Sequence, residues 1–151
     1  MPTPIHLTVA AVIHRKGRYL LVREQIDGVL VYNQPAGHVE AGENLSSAML
    51  REVLEETGHE VELTGLIGLS TYHSPSKTTY YRVSFVAQLL SDEARNPLDP
   101  EIVDTTWLTY DEIKAQPNLR SPMVLSDIDR FKFGEIFPLE LLRESKEIDI
   151  S

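Results

Sequence analysis

The stretch GHVEAGENLSSAMLREVLEETG, residues 37–58, predicts a loop followed by a helix that a glycine closes. Asn44 is a favourable N-cap residue, because its side chain can accept a hydrogen bond from the first turn. Gly58 suits the left-handed position that follows many helices. We therefore expect a helix from about Leu45 to Thr57.

This helix has an acidic and an apolar face. At about 100° per residue, Glu52, Glu55 and Glu56 fall within an arc of roughly 100°. Ala48 lies one turn before Glu52 on the same side and is small enough to let a substrate approach. The residues expected to face the core lie opposite or at the border: Met49, Leu50, Val53, Leu54 and Thr57.

Crowded carboxylates weaken a helix unless something compensates their repulsion. Like charges three or four positions apart cost about 0.2–0.5 kcal/mol per pair in an isolated helix, so stability gives no reason for this arrangement. A hard divalent cation would compensate it, since Mg²⁺ and Mn²⁺ prefer oxygen ligands. The alternative is a solvated acidic face, which is the usual role of a charge run.

The spacing of the whole stretch favours the metal site. It fits G-x5-E-x7-R-E-U-x-E-E-x-G, where U is a bulky apolar residue, and so resembles the Nudix box. The matching positions are Gly37, Glu43, Arg51, Glu52, Val53, Glu55, Glu56 and Gly58. Seven fixed residue types, each matched at roughly one in fifteen, make a chance fit on the order of one in 10⁸ per starting position. The box usually ends on an apolar residue, and His59 departs from that at a position that concerns packing.

The resemblance to the Nudix family implies an α/β fold, an α/β/α sandwich with a mixed β-sheet between helices. It also implies a hydrolase that uses Mg²⁺, or Mn²⁺, to cleave a phosphoanhydride. The family's metal ligands fall on Glu52, Glu55 and Glu56. Glu52 is also a candidate base, and Gly37 would offer a backbone carbonyl where a side chain would obstruct. Arg51 would orient the carboxylates by pairing with one of them or with Glu43.

Three shorter strings extend the resemblance. NQPAGHVEAGE begins at Asn33, NLRSP at Asn118 and FPLELL at Phe137, and they are similar to one group of bacterial Nudix phosphatases. That group is Mg²⁺-dependent and releases orthophosphate from nucleoside tri- and diphosphates and from pyrimidine pyrophosphates of the thiamine pathway. The alternatives are a Nudix pyrophosphohydrolase of another nucleoside diphosphate derivative and a non-catalytic module that senses a nucleotide.

Strand and turn signals dominate the rest of the chain. HLTVAAVIH and RYLLVRE flank the turn RKG, residues 15–17, and predict a hairpin, and VLVYN is a candidate third strand. Pro and Gly residues predict an irregular loop over 35–44. Residues 61–73 and 78–90 predict a second hairpin around the turn SPSK.

The last third of the chain predicts one strand and two helices. IVDTTWL reads as the strand, and Thr109 with Glu112 forms a capping box that starts a short helix. Ser121 and Pro122 suit the N-cap and first positions of a final helix, which Gly134 would end.

Composition limits the partners. The chain has 14 Lys and Arg against 23 Asp and Glu, a net charge of −9, which disfavours a nucleic-acid polymer or an anionic membrane as partner. Cysteine is absent, so disulfides and thiolate metal sites are excluded. A polyanionic substrate would need cations to bind to so acidic a chain, and the family resemblance implies that this substrate is a small-molecule phosphoanhydride.

Length and the first residues limit the organisation. With 151 residues, 42% of them hydrophobic, we expect a single domain over 1–151, with 144–151 as a frayed tail. MPTPIHLTVAAVIHRKG lacks a positively charged start and a long apolar run, so it resembles neither a signal peptide nor a membrane span. We expect a cytoplasmic monomer or homodimer.

Residues outside the box supply further candidates. Glu101, at the edge of a predicted strand, is a candidate metal ligand or base, with Asp104 as the fallback; an ordinary loop acid is the alternative. Tyr80 could stack on a base and Arg82 could hold a phosphate, if their strand lines the pocket. Outward-facing strand residues are the alternative.

The residues flanking the box loop are candidates for reading a heterocycle. Asn33, Gln34 and His38 hold these positions, and turn formation is the alternative for all three. The other histidines lack the spacing of metal ligands, and we expect ordinary roles for His6, His14, His59 and His73.

Overall fold

The computed structural model describes residues 4–96 and 99–145, and that part of the chain contains seven strands and three helices. The strands are β1 (Ile5–Arg15), β2 (Arg18–Ile26), β3 (Val29–Asn33), β4 (Ala36–His38), β5 (Val61–His73), β6 (Thr79–Leu89) and β7 (Ile102–Thr109). The helices are α1 (Leu45–Thr57), α2 (Tyr110–Lys114) and α3 (Pro122–Phe133), followed by a 3-10 turn at Leu139–Leu141. None of the helices in the described ranges is long and apolar enough to cross a bilayer.

Two tight turns join the first three strands. Lys16 and Gly17, and then Asp27 and Gly28, have φ values between 50° and 78°. Two-residue type I′ hairpin turns require this left-handed conformation at both central positions, and glycine adopts it without strain. The first turn lies where the sequence predicted it, between β1 and β2.

Strand β1 lies in the middle of the mixed sheet. It pairs in parallel with β6, from Ile5 opposite Thr79 to Ile13 opposite Ala87, and β5 lies antiparallel outside β6. Strand β4 pairs with β1 in the antiparallel sense. Strand β2 joins β1 at the hairpin and carries β3 and β7. Two segments distant in sequence therefore form the centre of the sheet.

Strand β4 corrects the prediction of an irregular loop over 35–44. Ala36–His38 pairs with residues 8–10 of β1, and the carbonyl of Pro35 accepts a hydrogen bond of 2.9 Å from the backbone of Ala11. Proline and glycine led to the error, because both usually interrupt strands. The box therefore begins inside the sheet.

Helix α1 begins and ends at the predicted residues, and Gly58 follows it with φ 75°. Two face predictions were wrong. Ala48 is fully buried instead of open to a substrate, and Leu50 is 42% exposed instead of buried. The buried residues of the helix are Ala48, Met49, Val53, Glu56 and Thr57. The side of α1 that faces the core thus includes Glu56, because the helix packs on the sheet along the border between its acidic and apolar faces.

The two longer helices cover opposite faces of the sheet. Helix α1 packs against Val9, Ala11 and Phe85. Helix α3 contributes to a second core cluster, which includes Val12, Leu21, Ile67, Val124 and Ile128. The predicted α/β/α arrangement with a mixed sheet is confirmed.

Side-chain caps start α2 and α3 as predicted. Thr109 and Glu112 form both hydrogen bonds of a capping box. Ser121 accepts a hydrogen bond from the backbone of Met123, and Pro122 holds the first helical position.

Helix α1 starts differently. Asn44 is the N-cap residue but its side chain does not cap the helix; it donates to the backbone carbonyl of Ser145 instead. The Glu144 carboxylate accepts a hydrogen bond of 2.7 Å from the backbone of Ser46. The prediction that the tail is frayed from residue 144 was therefore wrong for Glu144 and Ser145, and residues 146–151 lie outside the described residues.

Gly58→Ala is expected to destabilise the protein more than Gly17→Ala. Both glycines have φ 75°, so alanine incurs the same backbone strain at either, about 1–2 kcal/mol. A Cβ at Gly58 would also lie 1.8 Å from the Arg95 carbonyl oxygen, whereas nothing lies within 4 Å at Gly17. Urea unfolding followed by Trp107 fluorescence should show an additional loss of at least about 1 kcal/mol for Gly58→Ala. Equal losses would mean that the Arg95 backbone is not held against α1.

Candidate active site

A cleft of about 640 Å³ opens between α1, β4, the tip of the β5–β6 hairpin and the start of α3. Six acidic residues line it: Glu24, Glu40, Glu52, Glu56, Asp99 and Glu101. The arginines among its described lining residues are Arg82 and Arg120. A polyphosphate entering this cleft would meet strong repulsion without added cations.

Glu56 lies at the buried end of the acidic group. Its side chain is 3% exposed, and its carboxyl oxygens accept long hydrogen bonds of 3.3 and 3.4 Å from the backbone of Ala36. Burial raises the pKa of Glu56 to about 9, and the negative charge of Glu52 adds to the effect. A buried carboxyl group with so little compensation is unfavourable for folding, which is typical of a group placed for binding or catalysis.

Glu52 is pressed against the backbone of β4. A Cβ at Gly37 would lie 2.1 Å from Cδ of Glu52, so a side chain at position 37 would displace this carboxylate. Burial raises the pKa of Glu52, and the neighbouring Arg51 guanidinium opposes that rise. Glycine is needed at position 37 because the backbone and the carboxylate share this space.

Arg51 connects the acidic residues of the box. Its Nε and Nη2 donate to the two carboxylate oxygens of Glu43 at 2.7 and 2.9 Å. Its Nη1 donates to Glu52 at 2.9 Å and to Glu55 at 3.1 Å, and Nη2 also reaches the His38 carbonyl at 3.0 Å. These hydrogen bonds hold the pKa of Glu43 below its usual value. The arginine therefore pairs with Glu43 and with two glutamates of the helix; that it orients them for a metal ion stays a prediction.

The donor set suits a hard divalent cation. Glu52 and Glu56 bring carboxylates to the backbone of residues 36 and 37, and oxygen ligands are those that Mg²⁺ prefers. Within the described part of the chain, no three histidine, aspartate or glutamate side chains converge as a preformed metal group. Mg²⁺ often binds through one or two carboxylates and keeps several waters, so two carboxylates are sufficient. Glu55 does not line the cleft and is held by Arg51.

Asp99 and Glu101 form the acidic wall that faces the box. The backbone N–H of Asp99 donates to the Glu55 carbonyl at 3.1 Å, which ties this segment to α1. Glu101 lines the cleft as expected, and its backbone N–H donates to the Asp99 carboxylate. Asp104, the fallback candidate, does not line the cleft, because both its oxygens accept hydrogen bonds from Arg23.

A buried polar network holds Arg82. Its Nη1 donates to Gln34 at 3.0 Å, and the Gln34 amide donates to Asp127 at 3.2 Å. Ser84 donates to the same Asp127 oxygen at 2.6 Å. Burial lowers the pKa of Arg82, and its Nε has no hydrogen-bond partner in the described structure. Arg82 lines the cleft, but Gln34 is 1% exposed, so the prediction that Gln34 contacts a heterocycle was wrong.

The other predicted binding residues border the cleft. Asn33, His38 and Tyr80 all line it. The Asn33 amide donates to Glu24 at 3.4 Å. The rings of His6 and His38 hydrogen-bond at 2.8 Å between Nδ1 and Nε2, a role that the sequence did not suggest for His6.

Sequence reasoning missed several residues that line the cleft, among them Glu24, Tyr72, Asp99 and Arg120. They lie on separate segments and share no motif. Arg120 lies in the string NLRSP, where the backbone on both sides of Leu119 hydrogen-bonds to Tyr32. This non-local pairing brings Arg120 to the cleft; the resemblance connected the string with the substrate site, but nothing in the string singled out Arg120.

Comparison with known proteins relates this geometry to a family. The NUDIX domain model matches residues 4–125. Proteins named Phosphatase NudJ, from Escherichia coli K12 and other strains, are 39% identical over 137 residues, which cover 91% of this chain and 90% of theirs. A NUDIX hydrolase structure from Nitrosomonas europaea is 41% identical, with a TM-score of 0.89 over 94% of this chain and 98% of that one. A MutT NUDIX hydrolase from Burkholderia pseudomallei, 22% identical with a TM-score of 0.70 over 83% and 97%, supports the fold alone.

Arg51→Ala is expected to destabilise the metal-free protein by about 2 kcal/mol, because it leaves partly buried carboxylates without their cation. Arg95→Ala is the matched control, since Arg95 is 73% exposed and pairs with an exposed Glu60; it should change stability by less than about 0.5 kcal/mol. Urea unfolding in EDTA measures both. Equal stability of the two variants would contradict a structural role for the Arg51 contacts.

Proposed function

Because this chain belongs to the Nudix family, we propose that it is a Mg²⁺-dependent hydrolase of phosphoanhydride bonds in nucleoside tri- and diphosphates and pyrimidine pyrophosphates. The observation that carries the proposal is the burial of Glu56 beside Glu52 in an acidic cleft. The similarity to Phosphatase NudJ supports orthophosphate as the product. A cytoplasmic location and a monomeric or homodimeric state stay predictions.

The acidic group is proposed to hold the cation. Its ligands would be Glu52 and Glu56, with Glu55 and the Gly37 carbonyl as further donors, and Mn²⁺ could replace Mg²⁺. A cation bound there would neutralise phosphate charge and acidify a coordinated water. Arg51 would hold Glu52 and Glu55 in place through the hydrogen bonds that its Nη1 donates to both.

A proton acceptor is available on either wall of the cleft. Glu101 faces the box and is proposed as a base or a further ligand. Glu52 is the alternative base, since one of its oxygens is held by Arg51 and the other is free to accept. Either carboxylate would take the proton that water loses as it attacks phosphorus.

The remaining lining residues are proposed to bind the substrate. Arg82 lines the cleft and is held in place by Gln34, so its guanidinium would pair with a phosphoryl oxygen. Asn33, His38 and Tyr80 border the space for the organic group. Gln34 would act through Arg82, to which it is hydrogen-bonded.

Two alternatives make distinct predictions. A pyrophosphohydrolase of another nucleoside diphosphate derivative would use the same carboxylates but attack an inner phosphorus. A nucleotide-sensing module would bind without turnover. Phosphate release with Mg²⁺, and its loss on adding EDTA, distinguishes the enzyme from the sensor.

Glu56→Gln is expected to lower kcat by at least about 10²-fold at saturating Mg²⁺, the scale of losing one principal electrostatic contribution. Gln keeps the volume and an acceptor for the Ala36 N–H, so the fold should stay intact. Glu62→Gln, at an exposed position of β5, is the matched control and should retain wild-type kcat. A Glu56→Gln enzyme with more than about a tenth of wild-type kcat would exclude Glu56 as a principal ligand.

A nucleoside triphosphate is expected to give orthophosphate and the diphosphate first, followed by more orthophosphate. A cleft open at the surface admits the terminal phosphate most easily, because the position of the chain decides which phosphorus meets the attacking water. ³¹P NMR without an added phosphatase follows the products directly. Pyrophosphate and monophosphate as the only initial products would contradict the phosphatase assignment and leave the hydrolase in place.

A further inference from the structure

Three aromatic side chains, which we call the aromatic shelf, line one part of the cleft: Tyr72 on β5, Tyr80 on β6 and His38 on β4. Tyr72 and Tyr80 are direct cross-strand partners, and their ring centroids lie 6.3 Å apart with an angle of 28° between the rings. The His38 and Tyr80 centroids are 6.5 Å apart. The shelf is an uncharged aromatic surface in a cleft that is otherwise strongly acidic.

His6 supports the shelf from outside the cleft lining. It is the β1 partner of Tyr80 in the parallel pair, and the centroids of these two rings are 5.2 Å apart. Its Nδ1 hydrogen-bonds to Nε2 of His38 at 2.8 Å. His6 thus holds the rings of Tyr80 and His38 in place, which reduces the conformational entropy that these side chains would lose on binding a ligand.

The rings of the shelf remain accessible. Tyr72 and Tyr80 are only partly buried and His38 is exposed. Neither tyrosine hydroxyl hydrogen-bonds to another described residue. Aromatic area of this kind, held in place and open to a cleft, is suited to stacking on a planar ring.

The strand registers place the aromatic shelf, the Arg82 guanidinium and the buried carboxylates in that order along the sheet. Tyr80 shares a row with Tyr72, and Arg82 lies two residues further along β6 on the same face, a step of roughly 7 Å. Two residues further in the same direction, the cross-strand row contains Ala10 of β1. Ala10 pairs with Ala36 of β4, and the backbone N–H of Ala36 donates to Glu56. A ring on the shelf would therefore lie about one ribose length from Arg82 and two steps from the buried carboxylates.

We infer that the aromatic shelf binds the planar heteroaromatic ring of the substrate by stacking, so that this site selects for the presence of a ring more than for its identity. The inference rests on the proposed function for the position of the phosphates. Stacking is tolerant because every nucleobase and pyrimidine has a π-face. The order of aromatic shelf, Arg82 and buried carboxylates along the sheet matches a compound in which a short linker joins a planar ring to a diphosphate.

Equilibrium binding tests the shelf without requiring turnover. Isothermal titration with Mg²⁺ present compares a methylene-bridged uridine diphosphate with methylenediphosphonate, which lacks the ring. The wild-type protein should bind the uridine compound at least about 10-fold more tightly, and Tyr80→Ala and Tyr72→Ala should each reduce that ratio by about 5- to 10-fold. Tyr80→Phe should restore it, because the ring is retained.

Tyr81→Ala is the matched control. Tyr81 is the next residue of β6, lies on the opposite face of the sheet and does not line the cleft. Its removal should leave the binding ratio at the wild-type value, and melting temperatures confirm that every variant is folded.

The outcomes separate this inference from the proposed function. A ratio near one in the wild-type protein, or a ratio that Tyr80→Ala and Tyr72→Ala leave unchanged, overturns the shelf even if the protein hydrolyses nucleotides. Ring-dependent binding that both variants weaken, without any phosphate release, supports the shelf and contradicts the hydrolase.

Discussion

The Arg51 guanidinium is the contact on which the acidic site depends. A single positive charge lies among Glu43, Glu52 and Glu55, and its two-pronged contact with Glu43 joins α1 to the segment that follows β4. Two of its three nitrogens bond to Glu43, which leaves Nη1 to be shared between Glu52 and Glu55. The arginine therefore gives geometry to the carboxylates without cancelling their charge. The remaining negative potential is what attracts a divalent cation.

Rigid elements hold both partners of this arrangement. The glutamates project from a helix, and the glycine that makes room for Glu52 lies on a strand rather than on a loop. A strand paired with β1 cannot move aside, so the gap at position 37 has a fixed width, and Glu56 meets the Ala36 N–H of the same strand. The protein accepts a poorly compensated buried carboxyl group at this point, and sites that bind or react are where such unfavourable burial is usually found.

Local chemistry made most of the fold predictable, whereas the site was predictable only within the box. The first hairpin turn, the caps of α2 and α3 and the limits of α1 follow from backbone preferences that neighbouring residues determine, and those predictions hold. The side chain of Asn44 is the exception, because its partner comes from the distant Ser145. The prediction that Ala48 is open to a substrate failed because a helical wheel shows which residues share a face but not which face turns towards the sheet. The predictions that Gln34 contacts the substrate and that Asp104 is the fallback ligand failed because each side chain is taken up by an arginine from another strand. These arginines are Arg82 and Arg23. No periodicity in one sequence encodes which strand lies beside which, and β4 itself formed where proline and glycine argued for a loop.

The parallel pairing of β1 with β6 also bears on how the chain folds as it is made. Ile5 must wait for Thr79 to leave the ribosome before this pair can form, roughly 4–15 s at ordinary rates of synthesis. During that interval β1, whose central residues Val9–Ile13 are almost fully buried in the finished protein, has its hairpin partner, β4 and α1 beside it but not β6, so one edge of the strand is unpaired. Such an unpaired apolar edge is prone to join a neighbouring chain. The edge of β1 that β6 covers in the finished protein is therefore the part of the growing chain most open to such pairing, long before any substrate reaches the finished cleft.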